Sequence, residues 1–244
     1  MIARVLAPDA SGEGQEVPLT ADDAAHLGRV LRLRPGDRIR VFDGRGCEWL
    51  AELTAVGSDG ARARLGAAVT PAPESRVRYT VAMAVLKGDG TDELVRDAVM
   101  MGAVRLRPLV AARSAVGLAA LDRAGRRDRW QRVAIASAKQ CGRAVVPEVE
   151  PPVTAAALLA AGPGGAGVLF VEPGAGVEVT RLTALPRPDA VTLVFGPEGG
   201  WTADELSAAA AAGWTAVGLG PRTIRAVSMA VAGLAASQAV WDDL

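Results

Sequence analysis

Apolar and polar positions change their rhythm once along the chain, near residue 71. Before that point short alternating runs dominate. Arg38-Ile39-Arg40-Val41-Phe42 alternates as a half-buried strand should. Asp43-Gly44 then signals a turn, 47–56 reads as a second strand, and Ser58-Asp59-Gly60 turns into a third over 61–69. One helix interrupts them: over 20–31 Thr20 supplies a cap, and Asp22 and Asp23 place negative charge in the first turn. Pro35-Gly36 breaks the chain after it. These signals predict a small β-barrel-like or sandwich-like module with one helix.

Pro71-Ala72-Pro73-Glu74-Ser75 reads as a linker. Beyond it apolar runs alternate with helical patterns. Strands are expected over 79–86, 104–110, 167–171, 190–195 and 214–219, and helices over 92–101, 127–141, 202–212 and 224–241. The helix at 202–212 opens on a capping box, Thr202 with Glu205. Unbroken apolar strands alternating with helices predict a parallel α/β sheet, with ligands at the carboxyl ends of its strands.

Composition narrows the classes. In 244 residues, 50% are hydrophobic and 22% charged, the balance of a globular protein long enough for two modest domains. No leader-like block opens the chain, and no apolar run long enough for a membrane span precedes the last helix. Two distant cysteines, Cys47 and Cys141, suit a reducing compartment and make no zinc motif, and the single His26 builds no metal site. We therefore expect a cytoplasmic protein without a metal. The net charge is zero, which argues against binding nucleic acid by charge alone. Yet between Lys87 and Arg143 twelve basic residues face six acidic ones. That excess reads equally as a face for a phosphate backbone or as a solvated charged stretch.

Candidate chemistry gathers in three glycine-bearing loops, each after an apolar strand: Glu172-Pro173-Gly174-Ala175-Gly176, Gly196-Pro197-Glu198-Gly199-Gly200, and Leu219-Gly220-Pro221-Arg222. Glycine lets backbone N–H groups approach a ligand closely, though tight βα turns also need it. Three such loops in the last 75 or so residues point to one shared pocket. GxGxxG and GxxxxGK[ST] are absent, which disfavours a dinucleotide enzyme or a P-loop NTPase. A Ser-His-Asp triad would need His26, which lies in the other module.

Gly196-Pro197-Glu198-Gly199-Gly200-Trp201, Glu205 and Leu219-Gly220-Pro221-Arg222-Thr223-Ile224-Arg225 resemble the two signature stretches of the SPOUT methyltransferases. The match is with the bacterial 16S ribosomal RNA uracil-N3 methyltransferase family. Other stretches agree with it in order: His26-Leu27-Gly28-Arg29-Val30-Leu31-Arg32, Pro35-Gly36-Asp37, Lys87-Gly88-Asp89, Pro108, Ala112-Arg113-Ser114, Arg129-Trp130, and Gln140-Cys141-Gly142-Arg143 with Pro147. The resemblance covers nearly the whole chain. It implies an α/β fold: a small β-rich PUA-like RNA-binding domain over 1–72, then a C-terminal SPOUT domain over 73–244 with a parallel sheet and a deep trefoil knot.

By the same resemblance, S-adenosylmethionine binds along Val194, Phe195, Gly196, Pro197, Glu198, Gly199, Gly200, Leu219, Gly220, Pro221, Thr223, Ile224 and Arg225. It implies a homodimer that uses the last helix and acts on 16S rRNA of the small ribosomal subunit. Methylating uracil N3 requires loss of its proton and stabilisation of the resulting charge. Arg225 is the expected stabiliser, with Glu198 and Ser228 as candidates to take or relay the proton. Arg29, Arg32, Arg113, Gln140 and Arg143 are expected RNA contacts. Some positions depart from the family. Val227 stands where a carboxylate is common, and Asp97 and Met100 replace a Lys and a Glu. These departures leave two other readings open: a SPOUT methyltransferase with a different RNA target, or an RNA-binding assembly protein without catalysis.

Overall fold

The computed structural model describes residues 2–57 and 60–243. The chain divides into two compact units, 1–74 with 135–146, and 75–134 with 147–244.

The first unit is a five-stranded sheet with strand order β1-β3-β4-β5-β2. Its strands are β1 (Arg4–Leu6), β2 (Glu16–Leu19), β3 (Arg38–Phe42), β4 (Glu48–Gly57) and β5 (Gly60–Val69). β1 runs parallel to β3, and the other pairs are antiparallel. The alternation expected over 38–42 is present: Ile39 and Val41 are fully buried while Arg38 is exposed. Helix α1 (Ala21–Ala25) begins at Thr20, whose side chain accepts from the Asp23 N–H. The sequence predicted α-helix to residue 31, but after Ala25 the turn widens into a π-helix over His26–Val30, closed by Leu31 N–H to the His26 carbonyl at 3.0 Å. Gly28 explains the tolerance. A Cβ there would sit 3.3 Å from Val56, so the bare backbone lies on β4 while Leu27 stays fully buried.

Residues 135–146 belong to this unit because β1 and its neighbours hold their polar groups. Arg4 pairs with buried Glu48 through both carboxylate oxygens, at 2.9 and 3.1 Å. Its remaining N–H groups donate to the carbonyls of Ala138, Lys139 and Arg143. Lys139 pairs with Asp23 at 2.6 Å. A buried carboxylate without such partners would cost several kcal/mol.

The second unit is built on a sheet whose seven strands are all parallel, in order β12-β10-β11-β6-β7-β8, with β9 also beside β7. In chain order its elements are β6 (Arg78–Ala84), α2 (Gly90–Met100), β7 (Arg105–Val110), α3 (Leu118–Arg123), α4 (Arg126–Cys141, its last residues in the first unit), β8 (Glu148–Val149), β9 (Val153–Thr154), α5 (Ala155–Ala161), β10 (Ala166–Phe170), a 3-10 turn (Leu182–Ala184), β11 (Ala190–Phe195), α6 (Ala203–Ala211), β12 (Thr215–Val217) and α7 (Ala226–Val240). The central strands β6 and β11 are apolar throughout their buried stretches, as strands covered on both faces must be.

β12 pairs with β10 on one side. On the other it meets Thr180, whose N–H donates to the Ala216 carbonyl at 2.9 Å. One continuous stretch, 166–180, therefore bends around β12 before the chain continues into α7. β12, which leads into α7, is thus threaded between β10 and Thr180, as the expected C-terminal knot requires. Helix α7 closes over the sheet at Gly233, where an added Cβ would meet Phe195 at 2.6 Å and Phe170 at 3.0 Å. Those two rings stack with centroids 4.8 Å apart. The chain end is fastened by Asp243, which accepts from the backbone N–H groups of Arg76 and Val77. Gln238 adds a bond to the Met101 carbonyl at 2.7 Å. Burial, then the charge of Asp243, raise the Tyr79 hydroxyl above its ordinary range, so it stays protonated.

Candidate cofactor pocket at the knotted strand ends

Three parallel strands, β10, β11 and β12, end side by side, and the loop after each turns towards the same space. With the end of β6 they enclose a cavity of about 590 Å³, a size suited to a small-molecule cofactor. Gly196, Pro197, Glu198, Gly199, Gly200, Leu219, Gly220, Thr223, Ile224 and Arg225 line it, as expected from the sequence. Four expected residues do not. Val194 and Phe195 are fully buried strand residues inside the core, Pro221 is exposed outside the cavity, and Ser228 lies on the first turn of α7 without lining it.

The loop geometry rests on a few fixed contacts. Trp201 is buried beneath the first loop, and its indole N–H donates to the Phe170 carbonyl at 3.0 Å, tying the loop to the end of β10. Gly196 is required by this: a Cβ would stand 2.9 Å from that indole. At Gly200 φ is +69°, and a Cβ would fall 2.3 Å from the Glu172 carboxylate, which lies over the glycine backbone. The capping box expected at Thr202 is formed, and Glu205 also accepts from the Ala112 N–H at 2.9 Å. Arg113 donates to the Gly199 carbonyl at 2.7 Å. Thr91 accepts from the Leu86 N–H at 2.9 Å and so fixes the strand end on the opposite wall.

Glu198 accepts from the Lys87 N–H at 3.0 Å, joining the loop after β11 to the one after β6. It is exposed and in the cavity wall, but one oxygen already has a structural partner. Arg225 is exposed, lines the cavity and caps α7, and its guanidinium has no hydrogen-bond or ion-pair partner among the described residues. The N–H groups of Ala226 and Val227, both in the wall, lie in the first turn of α7, where backbone donors lack partners within the helix and the helix end carries partial positive charge.

Sequence reasoning missed several lining residues. Leu86, Gly90, Glu93, Phe170, Trp201, Arg222, Ala226, Val227 and Met229 were not assigned to the cofactor, and neither were Lys87 and Glu172. Glu172 had a signal, since it opens the first of the three glycine loops. Glu93 and Met229 had none, because only folding brings α2 and α7 to this space. Among the described residues no cluster of His, Cys, Asp and Glu could hold a metal ion.

The expected RNA contacts separate. Arg29, Arg32 and Gln140 are exposed on the first unit, and Arg32 adopts a positive φ of 56°. Arg113 is exposed but already engaged with Gly199. Arg143 corrects the expectation. It is 4% exposed and paired with Glu74 at 3.0 Å, so its guanidinium holds the linker in place instead of facing a phosphate.

Comparisons with known proteins agree with this geometry. An RNA methyltransferase domain model matches residues 73–239, and an RNA methyltransferase PUA domain model matches 19–66. The ribosomal RNA small subunit methyltransferase E of Synechocystis sp. is 34% identical over 253 residues, covering 98% of this chain and 77% of that protein. A crystal structure of a ribosomal RNA small subunit methyltransferase E from Neisseria gonorrhoeae, bound to S-adenosylmethionine, is 31% identical with a TM-score of 0.88, covering 99% of this chain and 98% of that one. A methyltransferase from Legionella pneumophila, also with bound S-adenosylmethionine, is 26% identical with a TM-score of 0.90, again over 99% and 98%. With both domain models in order along it and a relative at this identity over nearly its full length, the chain belongs to the ribosomal RNA small subunit methyltransferase E family of RNA methyltransferases.

Proposed function

We propose that this protein transfers the methyl group of S-adenosylmethionine to N3 of a uridine in 16S rRNA. The observation that carries this reading is the cavity at the ends of β10, β11 and β12, where the glycine loops, Arg225 and the start of α7 face one space. The residues fit the cofactor. Gly196 and Gly200 leave backbone exposed where a Cβ would collide, and Leu219, Gly220 and Ile224 complete a wall that is mostly backbone and apolar side chain. When bound, S-adenosylmethionine supplies an electrophilic methyl group on a sulfonium.

The protein's own part is positional and electrostatic. Uracil N3 gives up its proton, and its electron pair forms the bond to the methyl carbon as the carbon–sulfur pair returns to sulfur. Before that bond forms, negative charge spreads over N3 and the flanking carbonyl oxygens. We assign its stabilisation to Arg225 and the first-turn N–H groups of α7, which line the cavity and supply fixed positive charge. The oxygen of Glu198 not engaged by Lys87 is the acceptor we assign to the departing proton, because Glu198 is the carboxylate that the signature loop brings to the cavity wall. Arg29, Arg32 and Gln140 on the PUA-like unit provide exposed donors for phosphate and base edges.

The same reading includes a cytoplasmic homodimer. Helix α7 is apolar almost all round: Met229, Ala232, Ala236 and Ala239 form an unburied stripe opposite the packed face of Ala230, Gly233 and Leu234. A second copy would cover that stripe, and sedimentation equilibrium should give twice the chain mass; a monomer at micromolar concentration would refute the dimer. No helix among the described residues is long and apolar enough to cross a membrane.

The decisive test is transfer of labelled methyl from S-adenosylmethionine to small subunits lacking native modification, followed by mapping of the label. Label on N3 of a single uridine is the expected result. Label on another base or another RNA would establish a different target, and cofactor binding without transfer would point to a non-catalytic assembly protein.

A further inference from the structure

Behind the Leu86–Lys87 wall of the cofactor cavity lies a second one, of about 220 Å³, between the end of β6, helix α3 and the start of α4. Several times the roughly 30 Å³ that one water occupies, it has room for a flat organic ring. Its walls are apolar: Val85, Val116, Leu121 and the buried Trp130. The indole N–H of Trp130 has no hydrogen-bond partner among the described residues, an uncommon condition for a buried donor. Two cations, Lys87 and Arg126, line the same space. Neither side chain makes an ion pair or hydrogen bond among the described residues, and no carboxylate lines the cavity.

Mostly apolar walls, with the Thr91 hydroxyl already engaged by the Leu86 N–H, an unpartnered indole donor and two cations, suit a ring that carries acceptors and is attached to phosphates. That combination is a nucleobase turned out of its stack. We propose that this cavity receives a base flanking the uracil to be methylated, with Lys87, shared by both cavities, facing that base and Arg126 facing an adjoining phosphate. The inference rests on the methyltransferase reading above and adds to it where the neighbouring nucleotide sits. The uracil itself must lie in the cofactor cavity beside the methyl donor and Arg225, and the common Leu86–Lys87 wall makes the second cavity its immediate neighbour.

The test fills the cavity from α3. Ala120→Phe, with Ala124→Leu as a milder second variant, should raise KM for unmodified small subunits by about tenfold or more. The affinity for S-adenosylmethionine, read by titration calorimetry, should be unchanged. Arg126→Ala should reduce the slope of log K against log salt for subunit binding by about one. A purely structural role would move neither the KM split nor the salt slope. Folded filling variants with wild-type KM would overturn the subsite alone, and so would loss of cofactor affinity in step with substrate, because the two cavities would then be one site. Wild-type protein that binds cofactor yet labels no subunit would overturn the functional reading and the subsite with it.

Discussion

Replacing Arg225 with alanine is expected to lower kcat for methyl transfer by roughly 100- to 1000-fold, the usual cost of removing one fixed donor from a developing anion. Thermal stability should stay near the wild-type value, because the exposed side chain makes no hydrogen bond or ion pair among the described residues and its removal leaves nothing buried without a partner. The measurement is single-turnover transfer to unmodified small subunits, paired with a cofactor titration. The informative quantity is how the loss divides. A fall in kcat with unchanged cofactor affinity assigns Arg225 to the reacting base. A rise in KM for S-adenosylmethionine with kcat intact would instead make it a ligand of the cofactor and sink the charge-stabilising role. Arg225→Lys separates charge from shape. A point charge should restore only part of the rate if the guanidinium meets the flanking carbonyl oxygen through two parallel N–H groups.

The legibility of this site in the sequence followed how local its determinants are. Glycine loops after apolar strands and the Thr202–Glu205 capping box depend on residues a few positions apart, and both are present in the structure. Helices α3 and α5 were not expected. In an alanine-rich chain propensity alone separates nothing, and α5 declares itself only through Thr154, which caps it, and the buried pair Leu158 and Leu159. The π-turn after α1 depends on Gly28 meeting Val56, a contact across 28 positions that no local pattern encodes. Arg143 illustrates the same limit for function. Its charge was legible, but its partner Glu74 lies far upstream, and pairing turned an expected RNA contact into a structural one. The departure at Asp97 behaves likewise: burial, only partly offset by the neighbouring Arg96, raises its carboxyl above the ordinary range, a cost that sequence position does not reveal.

Gly196→Ala should do damage out of proportion to one methyl group. The backbone at Gly196 is not in the left-handed region, so alanine brings no conformational strain and its effect isolates the collision with Trp201. Gly200 makes the contrast. There the obstacle is the end of a flexible glutamate, which can swing aside, although the positive φ remains a penalty. Trp201 cannot move so cheaply, being 3% exposed, packed in the core and bonded to the Phe170 carbonyl. Overpacking costs about 1–3 kcal/mol, and a buried carbonyl and indole left unpaired add about 1–3 kcal/mol. For a chain of this size the combined loss corresponds to a Tm lower by roughly 4–24 °C. Because Trp201 also lines the cofactor cavity, the rise in Tm that S-adenosylmethionine gives the wild type should shrink or vanish in the variant. Differential scanning fluorimetry with and without cofactor measures both. Trp201→Phe in the Gly196→Ala background removes the colliding edge of the indole and should recover part of the cofactor-dependent shift. A Gly196→Ala protein that melts within about 2 °C of wild type and keeps its full shift would mean that the loop holds its shape without this contact.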